Sequence, residues 1–215
     1  MTRIKMIMVE GLPASGKSTT AAIIANSLRT SGKHVVCVDE GTPNHPADFD
    51  NYDFPDFATE RIRILNKWKS FVANIEKDTI YVFNCLFLQN PMCETMMRFG
   101  LSESESQKYI CEIADIIRPL DPLILYLKQD NVKASIERVM NERGNDWLNA
   151  VITYHTDQGY GKEKVLSGFN GYIECLIERQ SRELRILKST GLRYTVLPNR
   201  ITDKDFLALF GKAVQ

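Results

Sequence analysis

Gly11-Leu12-Pro13-Ala14-Ser15-Gly16-Lys17-Ser18 fills every fixed position of the phosphate-binding pattern G-x-x-x-x-G-K-[ST]. Glycines at 11 and 16 let the backbone curl with its N–H groups pointing inward, and a helix opening at Gly16 to Lys17 adds its positive N-terminal dipole. Such a concavity suits a polyphosphate. Lys17 is expected to reach the terminal phosphates and Ser18 to ligate Mg²⁺, with Pro13, Ala14, Ser15 and Thr19 completing the cradle.

Other chemistry-bearing residues sit where strands are expected to end. Asp39 and Glu40 close the apolar run that begins at His34, and either carboxylate suits a general base, with Asp39 also a Mg²⁺ partner; a helix cap or solvated loop is the bland alternative. Asn84 ends a third run, and Gln89 and Asn90 follow; Asn84 and Gln89 are candidate substrate contacts, with simple capping the alternative for Gln89 and Asn90. Arg138 and Arg143 lie five positions apart on one helical segment, where a solvated helix face is the bland reading.

The elements that must position these groups follow from hydrophobic period. Strands are expected at Ile4 to Val9, His34 to Asp39, Thr79 to Asn84, Leu123 to Leu127 and Arg193 to Leu197, and helices separate them. Those helices run from Ser18 to Leu28, Phe57 to Glu76, a segment opened by the capping box Ser102 and Glu105, Asn131 to Gly144, Phe169 to Ser189, and a last one opened by Thr202 and Asp205. Strands alternating with helices predict a parallel sheet with right-handed crossovers. Gly41 to Phe57 has no period and reads as a long loop over the strand ends. The stretch 138–164 holds Gly144, Gly159 and Gly161 among Arg138, Arg143, Lys162 and Lys164, and reads as a lid.

The Walker A loop, the carboxylates after strand two and the segment Ile136-Glu137-Arg138-Val139-Met140-Asn141-Glu142-Arg143-Gly144 together resemble the nucleoside and nucleoside monophosphate kinases, especially deoxynucleoside kinases and thymidylate kinase. The resemblance implies a P-loop NTPase fold, a three-layer α/β/α arrangement with a five-stranded parallel sheet in order 2-3-1-4-5. It also implies a helical lid bearing Arg138 and Arg143, and phosphoryl transfer from ATP with Mg²⁺. One departure stands out: where those kinases carry an acid and an arginine after strand three, this chain has Asn84-Cys85-Leu86. A nucleoside, a nucleotide, another hydroxylated metabolite or an antibiotic therefore all fit as acceptor.

Composition narrows the alternatives. The 215 residues carry 27 basic and 27 acidic side chains, so no global charge favours a nucleic-acid backbone or an anionic membrane. No apolar stretch approaches a membrane span, and the sequence reads as one cytoplasmic domain over 1–215 with a small-molecule substrate and a possible homodimer. Five cysteines without a C-x-x-C pair suggest reduced thiols, and three scattered histidines lack metal-ligand spacing. The competing class is a nucleotide-driven switch: Lys128-Gln129-Asp130 is similar to the tail of the guanine-reading N-K-x-D pattern, yet Leu127 stands in the Asn position.

Overall fold

The structure, a computed structural model, describes residues 4–49 and 52–198. Its centre is β1 (Met6–Gly11), buried at every position. Side chains alternate across a strand, and the apolar residues of β1 divide accordingly. Met6 and Met8 join one core with Phe83, Ile124 and Tyr126, while Ile7 and Val9 join another with Val82 and Leu125. Burial on both faces explains why this strand reads as a continuous apolar run.

The other strands are β2 (His34–Val38), β3 (Thr79–Asn84), β4 (Leu123–Lys128) and β5 (Arg193–Pro198). The sheet has the order β2-β3-β1-β4-β5 and every pairing is parallel, as the sequence predicts. β1 ends two residues beyond its predicted end, because Glu10 and Gly11 stay in register with Tyr126 and Leu127.

Helix α1 (Lys17–Thr30) covers one face through Ile24, Ala25 and Leu28. On the other face lie α2 (Phe57–Ala73), started by Asp56 accepting from Thr59 N at 2.8 Å, and α4 (Glu103–Ile117), which has the predicted capping box. Between them a short α3 (Gln89–Met92) runs straight into a π-helical turn, Cys93–Arg98. A 3-10 turn, Arg118–Leu120, then leads to β4. Trp68 from α2 is fully buried against Phe83, with ring centroids 5.8 Å apart.

The region after β4 departs from expectation. Helix α5 (Val132–Thr156) contains Gly144 at φ 82°, ψ 174°, so the predicted stop is a break after which the helix resumes. It resumes because Leu148, His155 and Thr156 give it a buried face that packs on α7 (Gly168–Ser189). Between them, α6 (Gly159–Glu163) is wedged tightly: a Cβ on Gly159 would lie 2.0 Å from Met97 O, and one on Gly161 2.0 Å from His155 O. These two glycines permit close packing and are not hinge points, whereas nothing lies within 4 Å of a Cβ on Gly144. The predicted helix at Thr202 and Asp205 lies outside the described residues.

Candidate active site

The phosphate loop joins β1 to α1. Gly11 is required by space as well as conformation, since at φ +140° a Cβ would come within 2.6 Å of Leu127 O on the neighbouring strand. Gly16 and Ala14 both have positive φ, 87° and 65°, and so curl the loop. Gln129, just past β4, holds the loop from below: its Nε2 donates to Pro13 O at 2.7 Å, while its backbone N donates to Gln180 Oε1 at 2.8 Å. The segment compared with a guanine-reading motif is thus a brace.

Two cavities open at the carboxyl edge of the sheet. The first, about 540 Å³, is lined by Pro13, Ala14, Gly16, Lys17, Ser18 and Thr19 of the loop and by Arg143 and Arg179. The second, about 410 Å³, is lined by His45, Asp48, Phe49, Asn90 and Glu94. Glu40, Gln89, Cys93 and Tyr154 belong to the walls of both. Among the described residues, three carboxylates and no lysine or arginine line the second cavity.

Glu40 is fixed at this junction. Gln89 Nε2 donates to Glu40 Oε1 at 2.6 Å, and the amide nitrogen of Asn90 donates to the same oxygen at 3.1 Å. Asp39 is a correction to the expected base and metal partner. It does not line either cavity; its Oδ1 closes a turn by accepting from Gly41 N at 2.9 Å and Thr42 Oγ1 at 3.1 Å. A short carboxylate one residue before a tight turn meets these local donors first, so the longer Glu40 is left to face the cavity. Arg138 is exposed and outside the cavity wall, whereas Arg143 lines it and rests 5.1 Å from the Trp147 ring centroid. Asn84 sits on the loop side, its Nδ2 donating to Ser18 Oγ at 3.1 Å.

Buried charge surrounds the loop. Lys17 Nζ donates to Leu12 O at 2.8 Å, and burial lowers its pKa. Glu10, fully buried at the end of β1, accepts from Phe87 N at 2.7 Å and Gln89 N at 3.2 Å, thereby fixing the backbone that carries Gln89. Burial, and then the neighbouring Glu183, raise Glu10 to about 7 against the lowering effect of those hydrogen bonds. Behind it Arg179 and Glu183 of α7 pair at 3.1 Å, and Tyr126 donates its hydroxyl to Glu183 at 2.6 Å.

Sequence reasoning missed Glu10, Gln129 and Arg179. Glu10 ends the central strand at the ligand edge, the same criterion that picked out Glu40. Arg179 and Glu183 fall on the stripe of α7 that also carries Tyr172, Leu176 and Ile186, a charged pair on an apolar face. The pattern around Gln129 pointed to guanine reading and not to a brace, because bracing depends on Pro13 and Gln180, two segments far away in sequence.

The residues present fit a nucleotide phosphate chain with Mg²⁺. Ser15 Oγ, within the loop, is buried and without a hydrogen-bond partner among the described residues, while Lys17 and Ser18 line the first cavity and Ser18 offers a hydroxyl to a hard cation.

The sequence matches no protein-family model and no curated protein. Solved structures do resemble it. A deoxyadenosine kinase from M. mycoides with products dCMP and a flexible dCDP bound is 17% identical, with a TM-score of 0.46 over 96% of this chain and 96% of that one. The YorR protein from Bacillus subtilis in complex with phosphorylated GDP is 12% identical, with a TM-score of 0.51 over 96% of this chain and 97% of that one. The second likeness and the strand order together give the chain a P-loop α/β fold, a five-stranded parallel sheet flanked by helices.

Proposed function

We propose that this chain is a P-loop kinase that transfers the γ-phosphoryl group of ATP to a hydroxyl of a small unphosphorylated acceptor, a nucleoside or a molecule of similar size. The observation that carries the reading is the position of Glu40, in the wall shared by the phosphate-loop cavity and the carboxylate-lined second cavity. A nucleotide switch has no use for that second cavity. Its lining favours a hydroxyl over a phosphate as acceptor, since no described lysine or arginine is there to offset a second phosphate.

In the proposed reaction Glu40 takes the hydroxyl proton as the acceptor oxygen bonds to phosphorus. The electron pair of the broken bond leaves on the β-phosphate oxygen. Lys17 and the loop N–H groups hold the phosphate chain in line, which is most of what phosphoryl transfer asks of a protein. Mg²⁺, held by Ser18 with the phosphates, would neutralise charge during the transfer. Gln89 and Asn90 keep Glu40 aimed at the junction.

The test is a screen of purified protein with Mg²⁺ and ATP against nucleosides, nucleoside monophosphates, sugars and aminoglycosides. An unphosphorylated alcohol should be converted, and Lys17→Ala should abolish conversion without loss of fold, because Lys17 acts on ligand charge and its amine bonds only to Leu12 O among the described residues. Transfer by Lys17→Ala within a few-fold of wild type would overturn the reading, as would a clear preference for monophosphate acceptors.

A further inference from the structure

The wall of the first cavity that α5 and α7 contribute holds three polar side chains with unmet hydrogen-bonding capacity. Arg179 is 1% exposed, yet its Nε and Nη2 have no hydrogen-bond partner among the described residues. Its Nη1 donates only to the weak acceptor Cys93 Sγ at 3.2 Å, and its 3.1 Å approach to Glu183 lacks hydrogen-bond geometry. The Tyr172 hydroxyl, in a residue that is fully buried, also has no partner. His155 Nδ1 lies 2.7 Å from Val151 O and so must be the protonated nitrogen, which leaves Nε2 facing the cluster without a partner. The imidazole and phenol rings meet edge to face at 4.8 Å. All three residues line the cavity that contains Lys17.

Buried donors left unmet cost about 1–3 kcal/mol each, more for a charged group. Here the cost falls on one patch and on a cation. Glu183 offsets part of the charge from 3.1 Å at Nε, and its other oxygen is held by the Tyr126 hydroxyl, so Nη2 is left without an acceptor. Arg179 also disfavours the charge of Lys17 across the same cavity, adding to the effect of burial. An oxyanion between the two cations would relieve that repulsion and supply acceptors for Nη2 and the phenol together.

We propose that Arg179 and Tyr172 form a second oxyanion site across the first cavity from the phosphate loop, preassembled to take oxygens of the transferring phosphoryl group, with the neutral His155 ring, an acceptor at Nε2, as a neighbouring reporter and not a ligand. It rests on the phosphotransfer reading and adds to it a cation from α7, in the body of the protein, where the sequence points to lid arginines. The ligand class is a tetrahedral phosphoryl oxyanion, and its two sources are the γ-phosphoryl group in transfer and free inorganic phosphate.

The experiment follows the His155 imidazole resonances by NMR while inorganic phosphate is added to the full chain, with and without Mg²⁺ and ADP. Phosphate should shift them saturably. Tyr172→Phe removes a hydroxyl that has no partner, so the fold should be as stable as wild type or more so, while phosphate binding weakens about fivefold to tenfold. Arg179→Lys, which keeps the charge but loses the fork, should lower kcat at least about tenfold while ATP affinity changes less than threefold. Resonances that do not respond to phosphate in the wild-type protein would overturn the site, as would wild-type phosphate binding in Tyr172→Phe. Arg179→Lys with wild-type kcat would remove its role in transfer. Binding is read without turnover, so a saturable shift in a protein that phosphorylates no acceptor would refute the kinase reading and leave the anion site standing.

Discussion

At the scale of single residues, the site turns on which carboxylate stands at the cavity junction. Glu40 has two amide donors on one oxygen and stands at the cavity junction, so Glu40→Gln preserves shape and removes the proposed base. It should lower kcat by about 10²–10⁴-fold with a much smaller change in ATP affinity, measured by steady-state kinetics and nucleotide titration. Glu60 is a different case. It is 1% exposed, and burial first, then the adjacent Glu94, raise its pKa to about 8. A carboxyl whose folded pKa lies above its unfolded value of 4.5 stabilises the fold fully below that value and loses the contribution as pH rises toward 8. Thermal melts of Glu60→Gln against wild type should therefore favour the variant increasingly between pH 5 and pH 8.

At the scale of elements, the segment between β4 and α7 divides into two parts. From Asn141 to Asp146, on both sides of the Gly144 break, every residue is exposed. From Leu148 onward the chain is anchored by buried Leu148, His155, Thr156 and Gly161. Gly161 has no unusual backbone angle, so Gly161→Ala isolates the clash of its Cβ with His155 O at 2.0 Å. It should cost about 1–3 kcal/mol, roughly 2–12 °C in Tm, read by calorimetry. At Gly144 the added methyl meets nothing, and only the positive φ resists it. The same packing explains why glycine count alone misleads: of the three glycines at 144, 159 and 161, Gly159 and Gly161 admit neighbouring backbone and Gly144 stands in open space.

At the scale of the whole molecule, the parallel sheet brings Glu10, Asn84 and Gln129 from three adjacent strands to one edge, where α1, α5 and α7 meet the phosphate loop. Closure over bound ligands should therefore involve the α5 segment around Gly144, which carries Arg143, more than the anchored part beyond Leu148. Hydrogen exchange should slow across 139–147 when an ATP analogue and acceptor are both bound, with 148–164 little changed; equal slowing over both would restore the longer lid of the sequence reading. That reading found the phosphate loop, the strand order, the capping box at Ser102 and the place of Glu40 in the cavity wall, because each is written in local pattern: fixed spacing, hydrophobic period, or a carboxylate at a strand end. Tertiary structure alone separated Glu40 from Asp39 and Arg143 from Arg138, because the members of each pair differ only in where the chain turns them. It also brought Arg179 beside Tyr172, His155 and Lys17, since residues far apart in sequence become neighbours only when α5 and α7 pack against the loop, and a cation's function depends on what shares its cavity.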